Sequence, residues 1–242
     1  MKKGKNFASP CNKMALVPLI VIKELNNTAH NPYMTIHTSG YIIDGMNGFE
    51  RNVKRVFDLF VALICLIIFS PLFLFCYIAI KREKNGPVIF KQERIGRFGR
   101  PFYIYKFRSM VVNAEKKGPE LCDRDDDDRL TKIGRFLRAH HLDELPQFWN
   151  VFKGEMSFVG PRPERQFFIE QIMEHDQRYQ YLFQIRPGIT SMATLYNGYT
   201  DTMEKMLKRL EMDLEYLEHR SWALDFKIIG LTFARIAFGK VF

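Results

Sequence analysis

From residue 59 to residue 80 the chain carries no formal charge: LFVALICLIIFSPLFLFCYIAI. As one straight helix this run would reach ~33 Å at ~1.5 Å per residue, enough to cross a bilayer core of ~30 Å. Ser70-Pro71 interrupts it near the middle. Proline removes a helix hydrogen bond and collides with the preceding turn, so the run divides into two apolar pieces, each too short to cross alone. Basic residues flank it on both sides, Lys54 and Arg55 before it and Lys81, Arg82 and Lys84 after it. The positive-inside tendency then keeps both ends on the cytoplasmic face. A segment that enters, bends at Ser70 and Pro71 and leaves on the same side satisfies both observations. On the residues alone, a proline-kinked single pass is an equal alternative, because neighbouring groups can compensate the lost bond. A buried helix of a soluble core fits less well, since the run has no polar face.

The remaining composition narrows the partners. At 242 residues and 47% hydrophobic, the chain has apolar material for a sizeable core, which excludes disorder as its main state, and its length suits one catalytic or binding domain plus some extra sequence. The net charge is +9. Between residues 81 and 118, eleven Lys or Arg stand against three Glu, a local +8, so nearly all of the excess lies just after the apolar run. An anionic partner is expected there: acidic lipid, nucleic acid or a phosphorylated small molecule. The four cysteines form no CxxC pair and the six histidines no HExxH, so neither a disulfide framework nor a structural metal site is indicated. Residues 1–50 lack sustained periodicity and read as an appendage. Their short apolar run at 14–22 is broken by Pro18 and followed by no cleavage site, as in an unprocessed extension.

PVIFKQERIGRFGRPFYIYKFRSM reads as a β-hairpin around a turn carrying Gly96, Gly99 and Pro101. Period-2 alternation sets Phe102, Ile104, Lys106 and Arg108 on one face, where the two cations could grip a phosphate or serve only as a solvated, charge-blunted edge. The acidic tract at 123–129 lacks the glycine and terminal glutamate of a calcium loop and reads as a solvated loop. DTMEKMLKRLEMDLEYLEHR places Met203, Met206, Leu207, Leu210, Leu214 and Leu217 at helical spacing, with Asp201 as its expected cap and Glu204 three residues on. The apolar tail from Trp222 fits a membrane-surface helix or ordinary core packing equally.

The densest cluster of unusual residues is RFLRAHHLDELPQFWNVFKGEMSFVGPRPER. Pro146 follows Asp143 and Glu144 within one turn, which places the pair at a helix N-terminus, where a carboxylate stays ionised and a phosphate can bind. An anionic Asp there can bind a divalent ion or attack phosphorus while the neighbouring carboxylate orients it. Simple capping would explain an isolated Asp-Glu-Leu-Pro string. The surrounding arginines shift the balance: Arg138 lies five residues before Asp143, and Arg162 is stiffened between Pro161 and Pro163 for bidentate contact with phosphate. Arg186-Pro187-Gly188-Ile189-Thr190 is a second rigid element.

These motifs, together with KRVFDLF and LDFKII, closely resemble the bacterial sugar transferases known as monotopic polyprenyl-phosphate phosphoglycosyl transferases, over about residues 54–229. The resemblance implies an α+β, mostly helical fold. A re-entrant membrane helix-break-helix (51–82) would follow the extension (1–50), and a cytoplasmic catalytic domain (83–242) with a small hairpin and amphipathic interfacial helices would complete it. It implies transfer of a sugar-1-phosphate from a UDP-sugar to undecaprenyl phosphate, releasing UMP, in capsule, exopolysaccharide, O-antigen or glycoprotein glycan synthesis at the bacterial inner membrane. It further implies Asp143 as nucleophile and Mg2+ ligand, forming a covalent phosphosugar intermediate, and Glu144 as its partner. Lys106, Arg108, Arg138 and Arg162 are the expected phosphate contacts, and Ser70 and Pro71 the bend. Mg2+ is the expected cofactor. Membrane lipids and a second copy of the chain are expected partners; nucleic acid is not.

The chain departs from its look-alikes in three ways. His140 and His141 stand where Ser or Thr commonly precedes Leu-Asp-Glu, the 191–199 segment differs after Arg-Pro-Gly-Ile-Thr, and the multi-helix bundle of larger members is expected to be missing. The rival reading is a membrane-anchored basic module that binds acidic lipid or nucleic acid without catalysis, which explains the +8 stretch but not Asp143-Glu144 or Pro-Arg-Pro. Single cysteines placed near Lys54 and Lys84 are expected to react with an impermeant thiol reagent from the same side of the membrane; labelling from opposite sides would establish a true span.

Overall fold

The computed structural model describes residues 42–83, 86–112, 114, 128–198, 200 and 202–238. Helix α1 (Gly48–Ile68) begins at a capping box in which the Asn47 side chain accepts from the Glu50 N–H and the Glu50 carboxylate accepts from the Asn47 N–H. It ends at Phe69, and α2 (Ser70–Arg82) starts at once with Pro71 in its first turn, where a missing N–H costs nothing. Ser70 Oγ donates to the Ile67 carbonyl at 2.8 Å, satisfying an acceptor freed by the break. The two helices are bent by 60°, and among the described residues no single helix is long and apolar enough to cross a membrane. Val56, Phe60, Ile67, Leu74, Phe75 and Ile78 are large apolar side chains exposed on the pair.

Strands β1 (Ile89–Ile95) and β2 (Pro101–Phe107) form the expected antiparallel hairpin, with Ile89 opposite Phe107. The connecting turn uses left-handed backbone at Phe98 and Gly99. Helix α3 (Lys132–Ala139) follows, capped by Thr131, then a 3-10 turn (Leu142–Glu144) and α4 (Gln147–Lys153), which stops at left-handed Gly154. Asn150 is fully buried on α4 and acts as a surrogate strand partner: its Oδ1 accepts from the Tyr105 N–H at 3.0 Å and its Nδ2 donates to the Tyr103 carbonyl at 2.7 Å. Strand β3 (Ser157–Val159), α5 (Gln166–His175), a 3-10 segment (Gln177–Gln184), β4 (Gly188–Thr190), α6 (Met192–Tyr196), α7 (Met203–His219) and α8 (Trp222–Phe238) complete the order. β3 and β4 pair in parallel, a second small sheet that the sequence did not suggest. A Cβ on Gly188 would meet the Gly160 nitrogen at 2.2 Å, so these backbones touch only because the position is glycine.

Among the described residues, three apolar clusters join these elements. Cys76, Ile80, Val88, Phe107 and Leu137 join α2 to the hairpin and α3. Ala62, Phe102, Ile104, Val151 and Met156 join α1 to β2 and α4. Val159, Ile185, Leu195, Tyr216, Leu217 and Ile228 gather β3, α6, α7 and α8.

Several sequence expectations change in detail. Asp201 lies outside the described residues, and the described N-cap of α7 is Thr202, which accepts from the Lys205 N–H. Most of the 1–50 extension is outside the described residues too. Its last residues belong to the fold: Gly45 N–H donates to the Leu217 carbonyl, Met46 is buried, and Asp44 pairs with Arg51 and Arg220. No periodicity marks them because one carboxylate and one glycine contact do the anchoring. Helix α8 packs through one face, with Asp225 and Ile228 buried, and leaves Phe226, Phe233, Ile236 and Phe238 exposed.

The inner face of α7 carries charge as well as leucine. Arg209 and Asp213 are both buried, and one oxygen of Asp213 has no hydrogen-bond partner. Burial pushes the Asp213 carboxyl up to about 7 against the pull of Arg209. Folding therefore favours the protonated acid, and the stability it contributes is fully present below the ordinary carboxylate range and lost as pH rises towards 7. Thermal melts of Asp213→Asn are expected to fall less than those of the parent between about pH 5 and about pH 8; parallel falls would show that Asp213 is not the group titrating.

Candidate functional site

Four segments meet at the Asp-Glu pair. Lys106 comes from the end of β2, Arg138 from the last turn of α3, Asp143 and Glu144 from the 3-10 turn, and Arg162 from the strap at 160–164 between β3 and α5. The pair lies just before the N-terminus of α4. Its own 3-10 turn precedes α4, and Pro146 is the N-cap of α4 rather than a first-turn residue. The cause is His141, whose left-handed φ of 53° ends the α3 path and turns the chain so that Asp143 faces inward.

The two carboxylates occupy different environments. Lys106 Nζ donates to Glu144 Oε1 at 2.6 Å, and Arg162 Nη2 approaches the same oxygen at 3.4 Å. Burial alone would raise Glu144, yet these two cations outweigh it and hold the carboxyl well below the usual range. Asp143 is only 6% exposed and makes no salt bridge among the described residues. Burial raises its carboxyl, reinforced by the negative charge of Glu144 and opposed by Lys106, Arg138 and His141. Three cations, Lys106, Arg138 and Arg162, thus surround two carboxylates, a local formal excess of one positive charge that suits an incoming polyanion.

Arg138 is positioned through backbone contact. Its Nε donates to Ser109 Oγ at 3.1 Å, and α3 reaches Ser109 because residue 134 is glycine: a Cβ there would lie 1.8 Å from the Ser109 carbonyl oxygen. Arg108, expected beside Lys106, goes elsewhere. Its buried guanidinium reaches towards the Ile80 carbonyl at the end of α2, so the structure does not bring it to the pair. Its backbone still continues the pairing, with the Arg108 N–H donating to the Val88 carbonyl at 2.9 Å, and it is the side chain that turns to the C-terminal end of α2. His140 folds back on its own helix, with its ring 4.4 Å from that of Phe136 and Nδ1 2.9 Å from the Phe136 carbonyl. Ser70 and Pro71 sit at the helix break described above.

No group of three His, Cys, Asp or Glu that could hold a metal occurs among the described residues. The donor set nonetheless fits Mg2+ of the kind shared with a ligand, since that ion is commonly held by one or two carboxylates plus substrate phosphates and water. Glu144 is engaged by Lys106 and Arg162, which leaves Asp143 as the carboxylate to hold it.

Sequence reasoning passed over Ser109, Gly134, Asn150 and Glu164. Gly134 and Asn150 carried a weak signal, a glycine and an amide within amphipathic helices, whereas Ser109 and Glu164 act through long-range contacts that no local pattern encodes.

Comparison with known proteins identifies the family. The family model for bacterial sugar transferases matches residues 49–239. A UDP-glucose:undecaprenyl-phosphate glucose-1-phosphate transferase of Klebsiella pneumoniae is 45% identical over 189 residues, covering 77% of this chain and 40% of that protein. A UDP-N-acetylgalactosamine-undecaprenyl-phosphate N-acetylgalactosaminephosphotransferase of Aeromonas hydrophila is 35% identical over 237 residues, covering 97% of this chain and 56% of that protein. An uncharacterised sugar transferase of Bacillus subtilis (strain 168) is 38% identical over 184 residues, covering 76% of this chain and 87% of that protein. The chain therefore matches about half of the length of the first two relatives.

Gly134→Ala is expected to push α3 off Ser109, lowering stability by about 1–3 kcal/mol and displacing Arg138. Chemical denaturation would show the loss; an unchanged midpoint would mean that the close approach does not hold α3.

Proposed function

This chain belongs to the bacterial sugar transferase family, and we propose that it transfers a sugar-1-phosphate from a UDP-sugar to undecaprenyl phosphate, releasing UMP. The observation that carries the reading is the division of labour in the Asp-Glu pair. Glu144 is neutralised between Lys106 and Arg162, while Asp143, next to it, is buried, unbridged and within the field of Lys106 and Arg138. The relatives' activities support the same reaction class.

In this mechanism an Asp143 carboxylate oxygen attacks the phosphorus that bears the sugar. A P–O bond forms to Asp143 and the P–O bond to UMP breaks, so UMP leaves with its electron pair. A phosphate oxygen of the lipid then attacks the same phosphorus, breaking the bond to Asp143, restoring the carboxylate and giving the polyprenyl-diphosphate sugar. Lys106, Arg138 and Arg162 stabilise charge on the transferring phosphoryl group, and their three donors come from separate elements, so they can bracket it from different sides. Glu144 keeps Lys106 and Arg162 in place; its negative charge favours a proton on Asp143, and Lys106 and Arg138 oppose that pull so that the Asp143 carboxylate can form. Mg2+, held by Asp143, would offset the repulsion between carboxylate and diphosphate.

The bent pair α1–α2 serves in this reading as a re-entrant hairpin in one leaflet, with both ends on the cytoplasmic face of the inner membrane. Its exposed apolar side chains, with Phe226, Phe233 and Phe238 of α8, support that placement. A two-step covalent route also suits the phases of the substrates, because the water-soluble nucleotide can leave before the lipid phosphate reacts.

Asp143→Asn is expected to abolish UMP release from UDP-sugars while leaving the protein in the membrane fraction. Intact-mass spectrometry of the parent enzyme with donor and no acceptor should show a phosphosugar adduct that maps to Asp143. Turnover by the variant, or an adduct on another residue, would reject the nucleophile assignment.

A further inference from the structure

A proline-flanked strap has a peculiar weakness. Pro161 and Pro163 have no N–H, so the segment holding Arg162 cannot fasten itself through its own donors at those positions. It must be held by donors from elsewhere. At its first proline, the Gly188 N–H donates to the Pro161 carbonyl at 2.9 Å, and Gly160 N–H reaches the Thr190 carbonyl. At its far end the Ile95 N–H donates to the Glu164 carbonyl at 3.0 Å, and Arg94 Nη1 donates to the Pro163 carbonyl at 3.2 Å.

The far anchor depends on one carboxylate. Glu164 is buried and takes Arg94 Nη1 at 2.7 Å on one oxygen and Arg209 Nη2 at 2.8 Å on the other. The oxygen facing Arg94 also accepts the Arg165 N–H at 2.9 Å, which fixes the first residue beyond the strap. Arg209 in turn donates from Nη1 to Thr200 Oγ1. Two buried guanidinium groups on one carboxylate are costly to desolvate, and removing the carboxylate would leave them facing each other unpaired. Such a clasp is unnecessary for a solvated loop; it is suited to hold one side chain of the strap at a fixed place.

We infer that Glu164 is a positioning residue: clasped between Arg94 and Arg209, it locks the 160–164 strap so that Arg162 stands over Glu144 and the transferring phosphate. The inference rests on the proposed function for what Arg162 binds. Glu164 touches no substrate and acts through Arg162 alone. The field of Arg209 and Arg94 also holds the Glu164 carboxyl below the ordinary range despite burial, which keeps the clasp charged.

The test is a double-mutant cycle between Glu164→Gln and Arg162→Ala on full-length protein, read as kcat/KM for UMP release. Glu164→Gln is expected to cost about tenfold or more with Arg162 present and less than about twofold in the Arg162→Ala background. Equal losses in both backgrounds would overturn the inference, because a general loss of fold does not depend on Arg162. Arg94→Lys, which keeps the charge and alters the contacts to Pro163 and Glu164, is run through the same cycle; if Glu164→Gln fails to fold, this second cycle decides by the same criterion. Calorimetric affinity for UDP repeats both cycles without turnover. A parent protein that binds UDP yet releases no UMP would sink the proposed function and leave the binding cycle to decide the positioning role, whereas an active parent with additive losses would sink the positioning role alone. A parent that does neither would overturn both.

Discussion

One buried ammonium group, that of Lys54, fixes how the apolar helix pair leaves the rest of the protein. Its Nζ donates to Asp225 of α8 at 2.6 Å and lies 3.9 Å from Asp58, one turn further along α1. Ser157 of β3 donates to Asp58, and Tyr216 of α7 donates to Asp225. Four elements therefore share one desolvated cluster at the base of the hairpin. Taking one partner out of such a set commonly costs about 3–5 kcal/mol, because it strands the others without water. Arg55 adds a second fastening from the same turn, donating to the Val151 and Phe152 carbonyls at the end of α4. The helix pair is thereby held at its root by polar bonds, while its outer surface is apolar.

The same economy of charge governs the Asp-Glu pair. Two adjacent carboxylates in a poorly solvated place repel, and each would keep its proton if left alone. Lys106 and Arg162 both turn to Glu144, so that one member is firmly ionised and the other is left without a bridge. The asymmetry follows from where the cations originate: β2 and the strap approach from the Glu144 side, whereas Arg138 is tied to Ser109. The chain thus gives neighbouring residues of similar chemistry different environments by routing its cations.

What could be read from the sequence was what a short window contains. The helix break at Ser70-Pro71, the hairpin around Gly96 and Gly99, and the leucine stripe of α7 each announce themselves through period, proline or glycine. The proximity of Lys106, Arg162 and Glu144 was inferred from residue type and resemblance, and the strands and turns bring those three together. Alternation sets Arg108 beside Lys106 but says nothing of where a long side chain ends, and its guanidinium reaches the Ile80 carbonyl of α2. Illegible were the contacts spanning many residues: Glu164 with Arg209, Asn150 with the hairpin, Asp44 with Arg220, and the parallel pairing of β3 with β4. Each joins a few polar atoms that lie far apart along the chain, and such isolated contacts leave no periodic trace.

The glycine at 134 has a consequence for how two distant segments are spaced. Because α3 rests directly on the Ser109 carbonyl, which also accepts the Thr131 N–H, main-chain atoms set the distance between the helix and the chain that leaves β2. The missing methyl group at 134 is thus a spacer: it sets how near the last turn of α3, and the Arg138 that Ser109 holds there, comes to the end of the hairpin.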